Sequence, residues 1–160
     1  MKVSKCLCAL LVLLSVFCFM TGCYGEKELT AEQIGIELEE LCLKGYETFD
    51  VSKADIENRF NFDGNLLGDY YIKMCQTEER YLMVAVLEPD QEKDRAEIIA
   101  GIKQNVKDAS ASFSILGTAE LSNIQQRLLY EYEEKLILVI GDNYTSAKSY
   151  LEKIGATPVV

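Results

Sequence analysis

Residues 78–87 read Glu-Glu-Arg-Tyr-Leu-Met-Val-Ala-Val-Leu, and this stretch decides the fold. Six apolar residues in a row, Leu82 to Leu87, follow an acidic turn and stop at Glu88-Pro89-Asp90. A run of that length rich in β-branched residues, bounded by turn formers, predicts a strand. Upstream, Asp69–Cys75 is a second aromatic and β-branched run, separated from the first by Gln76-Thr77-Glu78-Glu79. The pair predicts an antiparallel hairpin whose second strand is the more buried. Downstream, Ala96, Ile99, Ile102, Val106 and Ala109 recur at three- and four-residue intervals and predict a long amphipathic helix. Ser110 to Ser114 with Gly117 predicts a loop, and Thr118 a cap for a short helix carrying Leu121 and Ile124.

The same pattern returns 55 residues later. Glu133-Glu134-Lys135-Leu136-Ile137-Leu138-Val139 matches Glu78-Glu79-Arg80-Tyr81-Leu82-Met83-Val84. With Arg127–Tyr132 it predicts a second hairpin, followed by a last helix with Tyr144, Ala147, Leu151 and Ile154 on one face and an end at Gly155 and Pro158. Two β-β-α units are one reading. The other is that any two hairpin-plus-helix segments share this pattern.

Before the first hairpin, Thr30 and Gln33 predict a capping box, with Leu29 and Ile34 as its hydrophobic staple. Ile34, Leu38, Leu41 and Cys42 continue the helix to a stop at Gly45, with Glu32, Glu37, Glu39 and Glu40 on its wet face. Ser52 and Asp55 open a short helix that Asn61-Phe62-Asp63-Gly64 breaks. The fold expected is α+β in two layers, an antiparallel sheet of about four strands in two hairpins with helices packed on one face.

The first residues predict location. Lys2 and Lys5 precede an apolar run from Cys6 to Met20 of about 15 residues, short of the roughly 20 that cross a bilayer as a helix. Met20-Thr21-Gly22-Cys23 closes it. The basic start, the apolar core and the small-residue exit predict a cleaved signal peptide over residues 1–22. Met20-Thr21-Gly22-Cys23 resembles the bacterial lipobox, with Met20 where Leu is usual, and the resemblance implies attachment of diacylglycerol at Cys23, with residues 23–29 as a tether and 30–160 as one domain. Two acyl chains suffice for stable anchoring. The alternative is an uncleaved or conventionally cleaved signal with an incidental cysteine.

Cleavage there removes two of the 16 basic residues and no acid, leaving 14 against 26 and a formal charge of −12. Such a charge repels phosphate backbones, so no nucleic-acid partner is expected. It also makes the lipid the sole attraction to an anionic membrane. Cys6, Cys8 and Cys18 leave with the signal, and Cys42 and Cys75 remain. They are candidates for one disulfide outside the cytoplasm, or for two buried free thiols on apolar faces.

Chemistry is thinly represented. The chain has no histidine, which excludes Ser-His-Asp and Cys-His catalysis and histidine-held metal. It has no C-x-x-C and no glycine-rich phosphate loop, so neither cofactor nor metal is expected. Asp90-Gln91-Glu92-Lys93-Asp94 lacks the glycine and final glutamate of a calcium loop. The nine tyrosines remain. Tyr70, Tyr71, Tyr81, Tyr130 and Tyr132 fall on expected strands, and Tyr70, Tyr130 and Tyr132 are the candidate contact surface on a bare sheet face. Cross-strand tyrosine pairing is the structural alternative.

From about Ile34 to Ile154 the order of elements resembles a family of small Gram-positive lipoproteins, those with the domain of unknown function numbered 4358 (DUF). The likeness lies in Met20–Cys23, the Glu79–Leu87 strand, the helix after Pro89, and Lys135–Asp142 running into the last helix. Such proteins often carry Gly or Asn and then Tyr before the last strand, where this chain has Glu134-Lys135-Leu136. The resemblance implies an extracytoplasmic lipoprotein with an α+β domain and no assigned activity. The function expected is a non-enzymatic, membrane-anchored domain that binds a protein or envelope component. A carboxylate-dependent envelope hydrolase or transferase is the alternative.

Overall fold

The computed structural model describes residues 28–77, 79–116 and 119–159. Cys23, the signal segment and the Thr118 cap lie outside them. The described elements are helix α1 (Ala31–Cys42), strand β1 (Phe49–Asp50), helix α2 (Ile56–Phe60), β2 (Leu67–Gln76), β3 (Tyr81–Pro89), α3 (Arg95–Leu116), α4 (Ala119–Gln125), β4 (Leu128–Tyr132), β5 (Lys135–Ile140), α5 (Tyr144–Lys153) and β6 (Thr157–Pro158). The fold is α+β, with one antiparallel sheet in the order β1-β2-β3-β5-β4-β6.

Two expectations change. The sheet has six strands, because two-residue strands close both edges: Phe49 and Asp50 pair with Met74 and Lys73, and Thr157 and Pro158 with Glu131 and Tyr130. Two residues are too few to show a period. Pro158 survives there because an edge strand can spare its N–H. Helices also cover both faces, so the layers are three. Tyr81, Met83, Ala85 and Leu87 of β3 pack with α2, α3 and α4, while Leu82, Val84 and Val86 pack with α1 and α5. β5 divides likewise, with Leu136, Leu138 and Ile140 on the α3 face and Ile137 and Val139 on the α1 face. A continuous apolar run is the mark of a strand buried on both sides. One helical layer would have left half of each run in water.

The hairpins share a geometry. Val84 pairs with Val139, its counterpart 55 residues on, and the pairs on either side follow in antiparallel register. The registers of β2 on β3 and of β4 on β5 keep the same offset, so Cys75 corresponds to Tyr130 and Met74 to Leu129. The likeness ends with the hairpins, since α3 and α5 lie on opposite faces.

Local expectations fare unevenly. The Thr30–Gln33 capping box forms in both directions, at 3.2 and 3.1 Å. α1 ends at Cys42, and the chain turns through Gly45 at φ 89°. α3 runs on through the serine-rich stretch expected as a loop. Ser112 and Ser114 bond carbonyls of the preceding turn, and buried Phe113 packs on Tyr81 at 6.0 Å between ring centroids. Ala96 is exposed and Ile98 takes its place in the core. Tyr144, expected on the buried face of α5, is 42 % exposed. Two close approaches depend on glycine: a Cβ at Gly35 would lie 2.1 Å from the Tyr71 ring, and one at Gly101 2.3 Å from the Phe60 carbonyl oxygen.

Candidate functional site

The expected tyrosine surface does not assemble. Tyr130 is buried in the α1–α5 face, Tyr132 packs partly against that face, and Tyr70 packs on the opposite one. With helices on both sides there is no bare sheet face for them to share. Tyr71 fills the Gly35 notch, and its hydroxyl donates to Glu39 one turn along α1. Burial and that carboxylate push the Tyr71 hydroxyl well above its ordinary pKa. Tyr81 donates to Asn105 at 3.0 Å, and Asn105 donates to the Arg59 carbonyl at 2.7 Å. These rings hold elements together.

Cys42 and Cys75 are both free and buried, so the disulfide alternative is not realised. Burial pushes the Cys42 thiol up to about 11, with Asp142 adding to it. Its Cβ sits where a side chain at position 141 would collide, which explains Gly141.

The polar groups that do converge lie at the end of the sheet where β2 stops and β3 starts. Arg80 donates from one guanidinium nitrogen to Glu120 at 3.3 Å and to Asp142 at 3.4 Å. Glu120 belongs to α4 and its side chain is 1 % exposed; its other oxygen accepts the Tyr81 N–H at 3.0 Å. Asp142 also accepts from Asn123 at 2.7 Å and from the Tyr46 hydroxyl. The bond to Asp142 holds the Tyr46 hydroxyl above its ordinary pKa. The Arg80 guanidinium lies 5.5 Å from the centre of the Tyr46 ring. Nearby, Arg59 stands 5.1 Å over Phe49 and donates to Gln76 at 2.9 Å. Two recesses flank the β2–β3 turn. One of about 390 Å³ is bordered by Tyr46, Thr48, Phe49 and Arg80, and one of about 270 Å³ by Asn58, Arg59, Gln76 and Asp108.

This end presents two arginine–aromatic pairs beside open recesses. Arginine and tyrosine are the residue types that carry most interface energy. The arrangement suits binding better than acid–base work. Glu120 is shut from water, and both carboxylates are spent on one guanidinium. Among the described residues no three His, Cys, Asp or Glu side chains stand together to hold a metal ion.

The opposite end has its own cluster. Lys135, with its side chain 3 % exposed, binds Glu28 at 2.5 Å and Glu88 at 3.2 Å. Burial opposes its charge, but the two carboxylates outweigh that and raise its pKa. Glu28 is held below the ordinary carboxylate range by its bond to Lys135, and Glu133 is raised by sharing a hydrogen bond with Glu28.

Arg80, Glu120, Asp142, Tyr46, Phe49 and Arg59 were not singled out from sequence. Only Arg80 left a sign there, as the counterpart of Lys135 in the repeated acidic turn. No protein-family model, no curated protein and no solved structure matches the chain.

Proposed function

We propose that the chain is a lipid-anchored lipoprotein on the outer side of the cytoplasmic membrane, and that it binds a protein or envelope component through the Arg80 end of its sheet. The likeness to the small Gram-positive lipoproteins, read from Met20–Cys23 and the strand pattern, points the same way. The observation that carries the reading is the Glu28–Lys135 bond. It fixes the start of the described chain, five residues after Cys23, at one end of the sheet. From there α1 runs about 18 Å toward the other end. The nine residues of β3 span roughly 27 Å between Glu88 beside Lys135 and Arg80 beside Asp142. A membrane anchor at Cys23 therefore leaves Tyr46, Phe49, Arg59 and Arg80 facing outward. The formal charge of −12 acts in the same sense, since an anionic bilayer repels all but the tethered end. Among the described residues no helix is long and apolar enough to cross a membrane.

A photo-crosslinking side chain at Phe49 or Gln76 in the native membrane tests this. The reading expects one discrete protein or envelope adduct from both positions, lost with Arg80→Ala, and none from Asp69. Equal adducts from all three positions, or an adduct from Asp69 alone, would contradict it.

A further inference from the structure

The outer edge of β4 borders a groove that the Arg80 site does not touch. It measures about 450 Å³ and lies between α3 and the β4–β6 edge. Its lining is mixed: Ile102, Val106, Leu129 and Val159 supply apolar surface, and the exposed Lys103 and Arg127 supply cations. No Asp or Glu stands in its lining. That is notable in a chain with 26 acids against 16 bases. Neither Lys103 nor Arg127 has an ion pair among the described residues, and Lys107 follows Lys103 one turn along α3.

The backbone beside the groove is already engaged. Tyr130 and Glu131 pair with Pro158 and Thr157, and the Val159 N–H donates to the Leu129 carbonyl at 3.0 Å. An added peptide strand would find that edge taken. What remains is a groove lined by side chains, with two exposed cations and apolar groups from α3, β4 and Val159. Its volume lies in the range of small-molecule sites.

We infer that this groove binds a linear acyl carboxylate, its tail along Ile102, Val106 and Leu129 and its head on Arg127 and Lys103. Guanidinium and carboxylate match in a two-pronged geometry, so Arg127 contributes more than Lys103.

Octanoate and octanol are the probes, titrated calorimetrically into the full lipidated chain in phosphatidylcholine nanodiscs with empty nanodiscs as reference. Octanoate should bind one site saturably, with a dissociation constant on the order of a millimolar or tighter. Octanol should bind at least tenfold more weakly. Arg127→Gln should weaken octanoate about tenfold and Lys103→Gln about threefold, with octanol unchanged. Val106→Trp, which fills the groove, should abolish both. Equal affinity for acid and alcohol, octanoate binding indifferent to the two cation substitutions, or no heat above the empty nanodiscs would each overturn the inference. The cation variants alter exposed side chains, so the test stands if Val106→Trp fails to fold. Crosslinking from Phe49 should be the same with and without octanoate, which separates this site from the Arg80 end.

Discussion

Arg80 and Lys135 occupy the same position in two hairpins 55 residues apart, and each holds two carboxylates at opposite ends of one sheet. The exchange is reciprocal. Arg80, just before β3, reaches Asp142 just past the end of β5, while Lys135, which opens β5, reaches Glu88 near the end of β3. The second carboxylate differs and gives each end its character. Glu120 ties α4 to the Arg80 end, and Glu28 ties the entry of the chain to the Lys135 end.

Arg80 keeps a buried carboxylate satisfied. Arg80→Ala leaves Glu120 with the Tyr81 N–H as its remaining hydrogen-bond donor among the described residues. Since Arg80 itself is partly exposed, the expected loss is about 1–3 kcal/mol by urea denaturation. The same change in a Glu120→Gln background should cost at most half as much, because the neutral amide does not need the cation. Equal costs in both backgrounds would show that the pair is not coupled.

Gly35 exists for Tyr71. Gly35→Ala drives a Cβ into the ring and should cost roughly 1–3 kcal/mol, the usual range for overpacking. The double variant Gly35→Ala with Tyr71→Val should recover part of that loss despite removing a ring and its bond to Glu39. Thermal unfolding of the four proteins checks the coupling.

The Glu28–Lys135 tie has a pH window. A carboxyl whose folded pKa lies below its ordinary 4.5 adds stability that is present above 4.5 and lost as pH falls through the folded value. A lysine raised above 10.5 adds stability that is complete below 10.5 and lost as pH rises through the folded value. The difference in melting temperature between wild type and Glu28→Gln should therefore be flat across neutral pH and should shrink in acid as pH falls below 4.5 and through the folded value. Glu133 is raised by Glu28, the opposite sign, so its ionisation works against the fold at neutral pH. It also sits at φ 53°, a conformation that suits asparagine better. Glu133→Asn should raise the melting temperature by a few degrees.

Thiol counting separates three states of the cysteines. Mature wild-type protein should show no reactive thiol when folded, because Cys42 and Cys75 are buried and the Cys42 thiol is pushed up to about 11. In denaturant without reductant it should show two. A count of three would mean that Cys23 is free, and a count of zero that Cys42 and Cys75 are bridged.

The two hairpins, the long helix, the capping box and the last helix were legible because each has a period or a cap that local chemistry dictates. The third layer was missed, although the unbroken runs Leu82–Leu87 and Leu136–Ile140 carried its sign, since residues of both parities along each run need apolar cover. The edge strands were not legible, since Phe49–Asp50 and Thr157–Pro158 take their form from the neighbours they pair with. The site was hidden for a related reason. Tyr46, Arg80, Glu120 and Asp142 come from four separate segments, and only the turn of β2 into β3 beside the end of β5 brings them together. The tyrosines misled because a sheet-facing ring is equally suited to contact and to core.

The most direct test of the account places a single fluorescent probe at Asp69 or at Gln76 on the native lipoprotein in vesicles, and measures quenching by lipids brominated near the headgroup. Strong quenching is expected at Asp69, beside the Lys135 end, with little at Gln76 and release of the protein from the vesicles with Cys23→Ser. Equal quenching at both positions, stronger quenching at Gln76, or a Cys23→Ser protein still bound to the membrane would contradict it.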